Sequence, residues 1–79
     1  VVMTLFPNPA TDEVRLRVPG ETPASIELYD ATGRRVASER YRTDGVLSIG
    51  NVVDGLYVVR ALDDNGSSIA QARLVVQRP

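Results

Sequence analysis

Apolar and polar residues alternate over nearly the whole of this 79-residue chain, and turn-forming residues interrupt the alternation about every eight to twelve positions. A period of two puts successive side chains on opposite faces of a strand, whereas a helix needs apolar residues three and four apart. Val14, Leu16 and Val18 point one way while Glu13, Arg15 and Arg17 point the other, the pattern of a half-buried antiparallel strand. No segment carries a convincing helical period, so the chain is predicted to be all-β.

The alternation predicts strands over residues 2–6, 13–18, 34–42, 56–62 and 69–77, with two more around Ile26–Leu28 and Leu47–Ile49. Between them lie Pro19-Gly20-Glu21-Thr22-Pro23, Asp30-Ala31-Thr32-Gly33, Thr43-Asp44-Gly45, Asn51-Val52-Val53-Asp54-Gly55 and Asp63-Asp64-Asn65-Gly66. Asp30 and Gly33 suit the first and last positions of a type I turn, and Asn65-Gly66 is the strongest hairpin signal in the last of these segments. The polar stretch 34–42, with Val36 as its clearest apolar contact, belongs at a sheet edge or on a solvated face. About seven strands of this length form an immunoglobulin-like antiparallel β-sandwich lacking both the disulfide and the core tryptophan. Its expected core is Leu5, Val14, Leu16, Val18, Ile26, Leu28, Val36, Leu47, Ile49, Tyr57, Val59, Leu74 and Val76.

Residue chemistry narrows the function. Histidine and cysteine are both absent, which removes the commonest general base, the commonest reactive nucleophile and the softer metal ligands. We therefore expect no enzyme activity, no metal and no cofactor. Asp63-Asp64-Asn65-Gly66-Ser67 is rich in oxygen but lacks the alternating acids and distal bidentate acid of a calcium loop, and turn chemistry accounts for it. A net charge of −1 with both signs dispersed argues against nucleic acid, and no apolar run approaches the roughly 20 residues of a membrane-spanning helix. All basic residues are arginine, whose planar fork suits interfaces. The chain opens Val1-Val2-Met3 without a basic n-region or apolar h-region, so it reads as a piece of a longer protein.

Three spaced segments carry a stronger signal. In Phe6-Pro7-Asn8-Pro9-Ala10-Thr11-Asp12-Glu13-Val14, two prolines remove two backbone donors, and Asn8 and Asp12 can accept from nearby N–H groups. A rigid corner fixed without a partner strand is the expected result. Leu28-Tyr29-Asp30-Ala31-Thr32-Gly33-Arg34-Arg35-Val36 surrounds the first hairpin turn, and Asp54-Gly55-Leu56-Tyr57-Val58-Val59 opens the most apolar strand. There Gly55 suits a positive-φ entry, and Tyr57 can bury its ring and return its hydroxyl to a backbone group, like the tyrosine corner of sandwiches. In that order, from Leu5 to about Gln77, the segments resemble the C-terminal sorting domain of proteins exported by the type IX secretion system of Bacteroidetes-type bacteria.

The resemblance implies a single domain over residues 1–79, with 1–6 holding a possible linker end and the first strand, at the C-terminus of a larger cargo protein. It further implies a signal recognised by the outer-membrane translocon and its shuttle proteins. The cargo would pass through the periplasm to the cell surface or exterior. In many members a sortase-like peptidase then removes the domain. Pro7, Asn8, Pro9 and Asp12, the tip Gly33 and Arg34, and the terminal Leu74, Val75 and Val76 are the candidate recognition residues, with Asp30, Gly55 and Tyr57 as structural hallmarks. Members often end in lysine-bearing sequences; this chain ends in Arg78-Pro79. The alternative is an immunoglobulin- or fibronectin-like spacer or accessory module of a secreted protein. Sugar binding by such a module is disfavoured by the scarcity of aromatic residues: Phe6, Tyr29, Tyr41 and Tyr57, with no tryptophan.

Overall fold

The computed structural model describes residues 3–78; Val1, Val2 and Pro79, with the expected linker end, lie outside them. The strands, in chain order, are β1 (Thr4–Phe6), β2 (Glu13–Arg17), β3 (Ser25–Asp30), β4 (Arg35–Arg40), β5 (Val46–Ser48), β6 (Gly55–Leu62) and β7 (Ser68–Val76). Among the described residues there is no helix. All pairings between strands are antiparallel, in a three-stranded sheet ordered β1-β2-β5 and a four-stranded sheet ordered β4-β3-β6-β7. The result is the expected immunoglobulin-like β-sandwich of seven strands.

The inward residues of each strand meet between the sheets. Val14 pairs with Leu47 and Leu5 with Leu16 in one layer; Leu28 pairs with Val59 and Tyr57 with Leu74 in the other. All of these are buried, along with Ile26, Ile49, Val18 and Val76. Each fully buried aliphatic side chain contributes roughly 1.5–3 kcal/mol through apolar surface removed from water. Met3, Ala10, Ala61 and Ala70 join this core, although the alternation did not single them out.

Val36 does not belong to the core; it is 41% exposed. The β3–β4 register shifts there, because Leu28 pairs with Ala37 while Tyr29 pairs with Arg35. Val36 is the extra residue of a bulge, and Ala37 takes the inward position instead. In a strand as polar as this one, a one-residue insertion leaves no trace in the hydrophobic pattern. The edge position expected for this strand is observed.

The β3–β4 and β6–β7 hairpins are built alike. Asp30 Oδ1 accepts from the N–H groups of Thr32 and Arg34, and the Gly33 N–H returns to the Asp30 carbonyl at 3.0 Å. Asp63 Oδ1 likewise accepts from Asn65 and Ser67, and the Gly66 N–H returns to the Asp63 carbonyl. The Asp63 hairpin is therefore organised by its leading carboxylate, with Asn65 at negative φ and only Gly66 in the left-handed region. Gly45 is constrained differently. Its φ is 70°, its carbonyl accepts the Leu16 N–H at 2.7 Å, and a Cβ there would lie 2.7 Å from the Leu16 carbonyl oxygen.

Leu28→Ala opens a cavity between the sheets and is expected to lower stability by about 2–5 kcal/mol in a urea titration. Val36→Ala at the exposed bulge should stay within about 0.5 kcal/mol of the parent. A comparable loss for the two would show that the bulge does not exist.

Candidate functional site

The corner between β1 and β2 leaves its own sheet, touches the other one and returns. Both X–Pro bonds, Phe6–Pro7 and Asn8–Pro9, are cis. Pro7 and Pro9 have no N–H, so the swing between sheets strands no donor at either position. Asn8 between them reaches the outer edge of β7. Its Nδ2 donates to the Arg73 carbonyl at 3.1 Å, and its Oδ1 accepts from the Val75 N–H at 3.0 Å. Ala10 continues the pairing: its N–H donates to the Val75 carbonyl at 2.8 Å and its carbonyl accepts from the Gln77 N–H at 3.0 Å. Ala10 thereby forms a parallel bridge with Val76 and is fully buried.

One side-chain amide and the main chain of one residue thus do the work of a strand. This corrects the expectation that local bonds fix the corner without a partner strand, because the partner is the terminal strand itself, 67 residues from Asn8. Asp12 takes part through its main chain, accepting from the Ile49 N–H at 2.9 Å, while its side chain is exposed.

Register brings the other candidate residues to the same end. Asp30 lies beside Tyr57, and Tyr57 beside Leu74, so the Asp30–Arg34 turn, the start of β6 and the end of β7 form one border of the four-stranded sheet. Asn8 closes its far side. Pro7, Asn8, Pro9, Gly33 and Arg34 are exposed there. Leu74 and Val76 are 0% and 1% exposed and face the interior, whereas Val75 is half-buried on the opposite face. On the folded domain, only Val75 of the terminal triplet can present its side chain outward. Tyr57 is buried with its hydroxyl donating to the Val53 carbonyl, the expected corner. Gly55 enters β6 at φ 159°, close to extended backbone, with the Tyr57 ring 3.7 Å from a would-be Cβ.

Sequence reasoning missed Arg78. Its Nη1 donates to Asp54 Oδ1 at 2.7 Å and to the Val52 carbonyl at 2.8 Å, and its Nη2 donates to the Ile49 carbonyl at 2.8 Å. Its N–H donates to Asp54 Oδ2 at 3.0 Å. The planar fork of arginine serves several acceptors at once, which a lysine ammonium could not match in this geometry. The end of the chain is thereby tied to the β5–β6 connection. Only the pairing of an arginine just beyond the last strand with the acid of Asp54-Gly55 could have suggested this.

The two carboxylates of this end are both held below their ordinary pKa. For Asp30 the largest cause is the Thr32 hydroxyl, followed by the Arg34 N–H; for Asp54 it is the Arg78 N–H, followed by the Arg78 side chain. These are bonds to the ionised form, so each favours the folded state when the acid is charged.

The arrangement defines a disulfide-free, immunoglobulin-like β-sandwich module whose distinctive residues gather at one end. The family model described as "Secretion system C-terminal sorting domain" matches residues 4–77, essentially the whole chain, and the chain belongs to that family. No curated protein matches the chain. The domain is a type IX C-terminal sorting signal, which implies an upstream cargo, interaction with the secretion machinery, and export toward the cell surface or exterior.

Asn8→Ala removes both side-chain bonds to β7 and is expected to destabilise the domain by roughly 1–3 kcal/mol in denaturant titrations. A Pro7→Ala variant, which leaves those bonds in place, should lose less. The pH dependence follows from the depressed carboxylates. Their folded pKa values lie below the ordinary aspartate value of 3.8, so their stabilisation is complete above that value and is lost as pH falls through the folded pKa. Asp54→Asn should flatten the acid limb of a plot of thermal midpoint against pH; an unchanged limb would contradict the Arg78 clamp.

Proposed function

We propose that the domain acts as a folded address label, read at the end where the Pro7–Ala10 corner, the Asp30–Arg34 tip and the terminal strand converge. In this reading it carries no catalysis of its own. The cargo crosses the inner membrane by a signal elsewhere in its chain, and the periplasmic label is held by shuttle proteins and the outer-membrane translocon. A sortase-like peptidase acting near the first strand would separate label from cargo afterwards.

The observation that carries the reading is convergence. Residues near 8, 33 and 75 are far apart in sequence and share one border of a single sheet. A recognition surface assembled this way exists only in the folded domain, and its stiff corner loses little conformational freedom on binding. A spacer would not need the exposed tip residues: the Arg34 side chain makes no hydrogen bond or ion pair among the described residues, and its charge reaches Asp30 only through space, as the least of the causes that hold that carboxyl low.

The test fuses residues 1–79 to a reporter carrying an inner-membrane export signal, in a bacterium that has the type IX system. The parent fusion should reach the surface, and the reporter alone should remain periplasmic. Arg34→Glu should keep its thermal midpoint yet reduce display, while Asp64→Asn in the hairpin at the opposite end should display normally. Retention of the parent fusion in the periplasm would exclude the label; normal display of Arg34→Glu would exclude this end of it.

A further inference from the structure

The chain is close to neutral, yet its charges are sorted by position. Aspartates such as Asp30, Asp44 and Asp63 sit in turns and accept from turn N–H groups. The outward face of the four-stranded sheet is different. Register places Arg35 beside Tyr29, Tyr29 beside Val58 and Val58 beside Arg73; the neighbouring row holds Glu27, Arg60 and Gln71. Glu27 is the one carboxylate among these, and it is already engaged by Arg35 at 3.0 Å and by the Tyr29 hydroxyl at 2.7 Å. Arg60 lies over the Tyr29 ring, 5.5 Å from its centroid, and its buried Nε has no hydrogen-bond partner. The Arg73 side chain is exposed and forms no ion pair among the described residues.

Beside these guanidinium groups lies an apolar patch. Leu56 is 47% exposed and pairs with half-buried Val75, and half-buried Val58 follows on the same face. An exposed leucine next to two valines, with Arg73 and Arg60 farther along the same strands, differs from a solvated sheet face, which carries mixed charge and little apolar area. The combination matches a protein interface, with a small apolar centre and an arginine rim.

Building on the sorting reading, we infer that the contact surface extends from that border onto this face. Its occupant is an acidic protein segment of the export machinery, seating an apolar side chain on Leu56, Val58 and Val75 and carboxylates on Arg60 and Arg73. Charge complementarity selects the partner's sign: Arg73 has no ion pair and Arg60 meets Glu27 only through space, the direct bonds of Glu27 being taken by Arg35 and Tyr29, so both guanidinium groups repel a basic surface. A carboxylate arriving at Arg60 also meets a guanidinium already oriented by Tyr29, so little ordering accompanies the bond.

The same reporter fusion tests it with Leu56→Ser and Arg73→Glu, both at exposed positions. Thermal midpoints should match the parent, surface display should fall roughly tenfold for each, and Arg15→Glu on the opposite sheet should display like the parent. If Arg73→Glu melts early, Arg73→Gln replaces it. Normal display of the folded Leu56 and Arg73 variants beside a displayed parent overturns the inference and leaves the sorting reading standing. Failure of the parent removes that reading first. Equal loss for Arg15→Glu reduces the effect to bulk charge and overturns it as well. So does binding of the purified parent fusion to phosphatidylglycerol vesicles that depends on Arg73 and not on Leu56, which assigns the face to lipid.

Discussion

The last strand of this domain is held on both sides, and the rest of the structure depends on that. A terminal strand at a sheet edge has a ladder on one flank only and is the first element to fray. Here β6 supplies one flank and the Asn8–Ala10 segment the other, through four hydrogen bonds to Arg73, Val75 and Gln77. The same segment belongs to the connection between β1 and β2, so it also fastens the three-stranded sheet to the four-stranded one. In a small chain without cysteine, this contact between the two ends of the sequence stands in place of a covalent staple.

Arg78 extends the logic past the strand. Its guanidinium is engaged by Asp54 and by two carbonyls of the β5–β6 connection, which makes the basic end of the chain a part of the fold. A sorting signal built like this is more than a linear tag. Its terminal residues keep their conformation because distant segments grip them.

The strands were legible because burial on one face imposes a period of two, and nearly every residue expected in the core is there. Val36 was misread because a bulge moves one residue out of phase in a strand with no other apolar marker. Ala10 was invisible for the opposite reason: a small residue in a loop carries no period, although it is completely buried. The candidate site was legible as a set of segments but not as a surface. Nothing in the local sequence tells Asn8 that its partner is Val75, and Leu74 and Val76 proved to be interior residues flanking an outward Val75. Arg78 was read as a terminal charge because its partners, Asp54 and the Ile49 and Val52 carbonyls, come together only after the β5–β6 connection folds.

Amide hydrogen exchange along β7 tests the central claim most directly. The N–H groups of Val75 and Gln77 point away from β6 and are covered only by the corner, while that of Arg73 points the same way without an acceptor from it. The account predicts that Val75 and Gln77 exchange nearly as slowly as core amides such as that of Val59, and that Arg73 exchanges freely. Rapid exchange at Val75 and Gln77, equal to that at Arg73, would mean that the corner does not grip the terminal strand.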